Sequence, residues 1–339
     1  MRTFLFLNAL SFLLFFTACK PEESTTEIGL PSNIITKITI DKNGTKWIAT
    51  DKGMVSFNGE KWVVYPNSVV LINEPVLDIA INENILLAST YKGAFKSGFI
   101  NQTLNESKLY NKNTNGLVSD TVTKIAVNTS NILFFGTPKG LSILKDTTWT
   151  FYDGQWGRKK DNFLTTAKIT GIATAKNGWN YISTEGQGVS CFNFVDAVTG
   201  ATKYFLPWAD GLNSDVVYTV VIVDDSCQWY GTDAGASYHT SNQTKANWDL
   251  HYSVERGGLA SDSVYSIAKD TKNNIVWFGT YRGVSKLENN VITNFTTKDG
   301  LIDNKINTLA VDTDGSVWFG TNNGLSHFKN GNWKNYTKK

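Results

Sequence analysis

The side chains best suited to hold a ligand sit in seven short segments, each directly after a threonine. The threonines are Thr50, Thr90, Thr137, Thr184, Thr232, Thr280 and Thr321. The segments that follow vary more than anything around them: Asp51-Lys52, Tyr91-Lys92, Pro138-Lys139, Glu185-Gly186-Gln187, Asp233-Ala234, Tyr281-Arg282 and Asn322-Asn323. Aromatic faces stack on sugar rings, and basic groups pair with carboxylate or sulfate. Two further stretches add Trp156 with Arg158, and Trp208. The predicted binding face therefore comprises Lys52, Tyr91, Lys92, Lys139, Trp156, Arg158, Glu185, Trp208, Asp233, Tyr281 and Arg282. The alternative is an ordinary solvated rim, because lysines are commonly exposed. The acidic Glu185 and Asp233 dilute the positive field, so an anionic ligand is only weakly favoured.

Catalysis has fewer candidates. Glu185 and Asp233 fall in neighbouring repeats and could form a carboxylate pair, although glycoside cleavage also needs a deep, preorganised cleft. No Gly-x-Ser-x-Gly nucleophile motif and no nucleotide-binding loop is present. His239, His251 and His327 are not spaced to share a metal, and no CxxC or His-Cys cluster occurs. Asp312-Thr313-Asp314-Gly315 starts like a calcium loop but lacks the Glu that an EF-hand needs, and reads as an Asx-rich turn. No metal and no cofactor is expected. Cys191 and Cys227 fall in strands of different repeats and are expected as two buried free thiols.

The elements that position these residues repeat. The threonines are separated by 40, 47, 47, 48, 48 and 41 residues. A period of that length built of short strands marks a propeller or a solenoid. In the last repeat, strands are expected at 306–312, 317–321, 325–329 and 333–336, joined by Asp-Gly, Asn-Gly and Asn-Gly-Asn turns. Four antiparallel strands make one blade, so the fold class is all-β, a seven-bladed β-propeller over residues 34–339. Second strands carry a bulky residue: Trp47, Leu87, Phe134, Tyr181, Trp229, Trp277 and Trp318. First strands carry a small one: Thr39, Ala80, Ala126, Ala173, Val221, Ala268 and Ala310. That taper suits blades converging on an axis, and the aromatics are assigned to packing. Repeat one starts in phase and repeat seven ends on a complete fourth strand. The ring is therefore expected to close by blade seven packing on blade one, without strand exchange.

The pattern Val-x-x-Ile-x-x-Asp, then Trp-Phe-Gly-Thr-x-x-Gly-Leu, with Asp-Gly-Leu-x-Ser-Asp between repeats, resembles the two-component-regulator propeller repeat. The resemblance covers about residues 29–339 and is strongest in blades one, six and seven. In that family such propellers are extracytoplasmic sensors of hybrid histidine kinases, often for glycan fragments. No kinase, receiver or DNA-binding signature occurs in these 339 residues. The resemblance thus implies a stand-alone, sensor-like binding propeller without catalysis, whose partner is a glycan or a membrane protein. The competing readings are a pure protein-interaction scaffold and a polysaccharide lyase or hydrolase using Glu185 and Asp233.

The N-terminus points to export. Residues 1–18 carry Arg2 and an apolar run from Phe4 to Phe16, a signal peptide in form. Phe16-Thr17-Ala18-Cys19 resembles a bacterial lipobox, which would place acyl chains on Cys19 and tether residues 19–33 and the propeller to the outer membrane. Lys20-Pro21-Glu22-Glu23 resembles a surface-export tract. Charged residues make up 18% of the chain and the formal net charge is +2, with no basic run of the kind nucleic acid requires.

Overall fold

A computed structural model describes residues 29–65, 74–152, 167–193, 202–205, 211–240 and 247–338. The strands form seven antiparallel sheets of four, each made of four strands consecutive in sequence. The blades span 35–64, 78–110, 124–152, 169–205, 217–252, 264–295 and 306–336. One four-residue helical turn, Lys112–Asn115, lies in the connection between blades two and three. Blade seven has strands Ile306–Val311, Val317–Thr321, Leu325–Lys329 and Asn332–Tyr336, within a residue of the expected bounds.

The repeated threonine is the clamp that turns the second strand into the third. Thr280 donates its hydroxyl to the Gly283 carbonyl at 2.8 Å and accepts the Arg282 N–H at 3.2 Å. Gly283 takes a φ of +132°, and a Cβ there would lie 2.5 Å from the Phe295 carbonyl oxygen, so only glycine fits. The threonine-to-glycine bond recurs in every blade. These threonines are at most 4% exposed. They are structural, and of the residues after them Lys52, Tyr91, Lys92, Lys139, Glu185, Asp233, Tyr281 and Arg282 are exposed.

The small and bulky positions turn out to be cross-strand partners. Thr39 faces Trp47, Ala80 faces Leu87, Ala126 faces Phe134, Ala173 faces Tyr181, Val221 faces Trp229, Ala268 faces Trp277 and Ala310 faces Trp318. Each bulky residue is at most 5% exposed. Directly opposed side chains are close neighbours on one sheet face, so the small residue leaves room for the large one in the gap to the next blade.

The apolar core is accordingly divided among seven inter-blade clusters. The cluster between the terminal blades joins Ile35, Ile48 and Phe57 to Trp318 and Leu325. Thr308 accepts the Ile38 N–H at 3.3 Å, and Lys46 pairs with Asp312 at 2.5 Å. Blade seven closes on blade one by side-chain packing, with no strand exchanged. The fourth-strand aromatics pack as expected: Trp62 stacks on Phe57 with centroids 4.3 Å apart, and Tyr336 lies against Trp318 at 5.6 Å.

Two expectations need correction or closure. Neither Cys191 nor Cys227 is in a disulfide, but only Cys191 is buried; Cys227 begins its strand and is partly exposed. The aspartate turns are hydrogen-bonded caps: Asp41 accepts the N–H groups of Asn43 and Thr45 and the indole N–H of Trp47, at 2.9, 3.0 and 3.0 Å.

Candidate functional site

First strands run along the propeller axis, and five of them carry the same irregularity. In blade one, Ile35 pairs with Thr50 and Lys37 with Ala49, leaving Thr36 as an extra residue. The same bulge isolates Thr170, Tyr218, Tyr265 and Asn307 in blades four to seven. A bulge re-aims one side chain and bends the strand. Here it turns these residues into the space on the axis, where all five line a cavity.

At four ring positions the side chain is spent on holding the ring. Thr36 donates to the Val76 carbonyl at 2.5 Å, Thr123 to Ile169 at 2.9 Å, Thr170 to Val217, and the Asn307 amide to Ile35 at 2.9 Å. Each bond reaches from one blade to the next. Blade two carries Leu77 at this position, and blades five and six depart further. Their ring residues are Tyr218 and Tyr265, which lie against each other with centroids 4.8 Å apart and planes tilted by 47°. Burial pushes the Tyr218 hydroxyl's pKa up, and the neighbouring Tyr265, Asp233 and Glu185 push the same way.

The two tyrosines form one wall of an open cavity of about 300 Å³ at the mouth of the axial channel. Thr123, Lys124, Lys168, Lys305 and Asn307 supply much of the remainder. A narrower space of about 120 Å³ continues inward, reaching Lys37 and the buried Asp78. The first strands of all seven blades contribute to it, which places it on the axis. Lys37 and Asp78 stand 3.5 Å apart.

The predicted outer face is only partly assembled. Glu185 and Asp233 do come near one site, since both act on Tyr218. Glu185 is ion-paired to Lys168 at 2.8 Å, with both side chains about half exposed. The Lys305 ammonium sits 5.9 Å over the Tyr281 ring, so Tyr281 belongs to the outer edge of the mouth. Tyr91 is 52% exposed but stands on blade two, with blades one and seven between it and Tyr281. Lys92 is paired with Glu74. Lys52, Lys139 and Arg282 are exposed, and among the described residues no contact draws them together. Trp156, Arg158, Trp208 and Cys19 lie outside the described residues.

The residues that matter most at the mouth, Lys124, Lys168, Tyr218, Tyr265 and Lys305, and Lys37 in the space beneath it, are outside the expected set. A signal for them existed. First strands open with apolar residues three apart, as in Val217-Tyr218-Thr219-Val220 and Val264-Tyr265-Ser266-Ile267, with only the outer pair buried. A strand should alternate with period two. Spacing of three marks the bulge and the residue it re-aims.

Metal chemistry finds no footing among the described residues, where no group of three or more His, Cys, Asp or Glu could share an ion. The histidines are separate: His239 bonds Gln228 at 3.1 Å, His251 bonds Ser237 at 3.0 Å, and His327 stacks on Trp318 at 4.1 Å.

Residues 258–282 and 300–323, which open blades six and seven, match the two component regulator propeller. Two segments of the chain thus match the two-component-regulator propeller repeat. No curated protein matches it. Among solved structures, the repeats superpose on the extracellular domain of a one-component system from B. thetaiotaomicron, with a TM-score of 0.66, 18% identity, and coverage of 89% of this chain and 39% of that one. PorZ, a surface component of the type-IX secretion system of Porphyromonas gingivalis, gives a TM-score of 0.70 at 16% identity, covering 89% of this chain and 47% of that one. Virginiamycin B lyase from Staphylococcus aureus gives 0.64 at 10% identity, covering 90% and 95%. The chain thus spans less than half the length of the first two. At such identities the likeness is one of fold, and a propeller fold hosts both binding proteins and enzymes.

Proposed function

We propose that this chain is an extracytoplasmic, lipid-tethered binding propeller that takes a glycan at the mouth of its axial channel and performs no chemistry on it. The observation that carries the reading is the pair Tyr218 and Tyr265. At two adjacent ring positions the hydrogen-bonding residue that links blades at four other positions gives way to an aromatic facing the cavity. Leu77, at the same position in blade two, lines neither cavity, whereas Tyr218 and Tyr265 line both. Aromatic walls with a few polar and charged groups are the usual lining of a ligand site. Glu185, ion-paired on the rim, is better suited to orient Lys168 than to cleave a bond. The extracellular and surface settings of two similar folds agree with the exported location read from residues 1–23.

A glycan array followed by calorimetry on the best hit tests the site. Tyr218→Ala and Tyr265→Ala should each weaken that hit about tenfold, since an aromatic contact contributes roughly 0.5–1.5 kcal/mol beyond its area. Unchanged affinity in both variants, with loss in Tyr91→Ala instead, would move the site to the outer loops. A silent array with capture of one membrane protein would favour the scaffold reading. The tether is tested separately: Cys19→Ser should abolish palmitate labelling and release the protein from membranes, and Cys19-independent labelling would refute it.

A further inference from the structure

The charges at the mouth are unbalanced. Its lining holds Lys124, Lys168 and Lys305 and no carboxylate. The acidic groups nearby are largely committed. Asp78 lies below, paired with Lys37 and accepting the Ile125 N–H at 3.1 Å. Glu185 is on the rim with Lys168. Asp233 is exposed beyond Tyr218.

Lys124 stands apart from the other lysines. It lines both the mouth and the narrower space beneath, so it marks the neck between them. It is partly buried at the start of its strand, Lys124–Val127. Among the described residues no carboxylate pairs with it and no hydrogen bond engages its ammonium. A partly desolvated cation with no partner among the described residues is unfavourable. Burial holds its pKa below the ordinary lysine range, Lys37 and Lys168 act in the same direction, and Asp78 opposes them. An anion seated at the neck would restore what the ammonium lacks.

We infer that the mouth is an anion subsite for a single acidic sugar ring. The ring's carboxylate or sulfate meets Lys124, flanked by Lys168 and Lys305, while its body rests against Tyr218 and Tyr265. This rests on the glycan reading above and narrows it. Size supports one ring: about 300 Å³ sits at the lower end of ligand cavities, roughly 300–1,000 Å³. A longer chain would project outward past Tyr281 and Asp233. The groups facing the bound anion are Lys37, Lys124, Lys168, Lys305, Asp78, Glu185, Asp233 and the two tyrosine hydroxyls. Of these, Lys124 sets the pH limit. Affinity is retained while its ammonium is protonated, and it falls as pH rises through a value below that of a free lysine.

The experiment titrates the full chain with glucuronate, glucose 6-sulfate and glucose at low salt, following amide shifts by NMR. At least one charged sugar should bind about tenfold tighter than glucose, the scale of one charge-assisted hydrogen bond. Which of the two binds distinguishes carboxylate from sulfate recognition. Lys124→Met should erase the preference. Lys305→Met, on the rim, should reduce it and serves if Lys124→Met fails to fold. Equal affinity for all three sugars overturns the anion subsite and leaves the glycan reading standing. So does a charged preference that survives both substitutions. Binding of none of the three overturns the subsite, and the glycan reading then falls only if the array is silent too.

Discussion

His327 shows what one side chain contributes beyond its polarity. It stacks on Trp318 with centroids 4.1 Å apart and planes at 21°, inside the seam that closes the ring. Burial holds its pKa below the usual histidine range; Lys46 and Lys329 push the same way, against Asp314 and Asp312. The unfolded chain, titrating near 6.5, therefore binds the proton more readily than the folded one. The stability tied to neutral His327 is present above that value and is lost as pH falls through it toward the folded pKa. Thermal melts between pH 7.5 and pH 5.5 should show a decline that is shallower in His327→Phe, which keeps the ring stack. His251, also lowered by burial, supplies part of what remains. An identical slope in the variant would remove His327 from the account. At this scale the sequence was partly readable. The bulky and small positions could be identified from their recurrence, yet their direct pairing across strands, as in Ala268 and Trp277, needed the register.

The elements divide into those with strong local signals and those with none that a period-two reading detects. The second-to-third-strand turn was legible because its chemistry is local. A threonine hydroxyl and a glycine at positive φ lie three residues apart, or four in blade four, where Thr184 bonds Gly188. Strand bounds in blade seven followed from the same turns. The first-strand bulge was not recognised, although the Val-x-x-Ile spacing that encodes it was in view. Its consequence is long-range: Tyr218 acquires a role only when Tyr265 of the next blade and Lys124 from two blades earlier arrive at the same mouth. The outer turns vary and carry charge. Yet exposure on separate blades does not assemble a site, as Tyr91 and Tyr281 illustrate.

The whole molecule is a ring whose stability passes through nearest-neighbour blades, so the contact between first and last blades decides whether it is closed or merely curled. That contact holds the pair Lys46 and Asp312, with side chains 10% and 7% exposed. Lys46 also donates to the Gly44 carbonyl at 2.8 Å and sits 5.3 Å over the Trp318 ring. Asp312 receives the Thr313 N–H at 2.7 Å. Removing one member of such a pair strands the other charge away from water, which costs about 3–5 kcal/mol, whereas replacing both by apolar groups can be near neutral. Asp312→Asn should therefore lower stability by about that much in denaturant melts. Lys46→Met with Asp312→Leu should recover most of the loss. If the ring is one cooperative unit, both variants unfold in a single transition, and the Asp312→Asn loss appears equally in the fluorescence of tryptophans remote from the seam, such as Trp229. A separate early transition confined to blades one and seven would show instead that the seam opens by itself and that the other five blades stand without it.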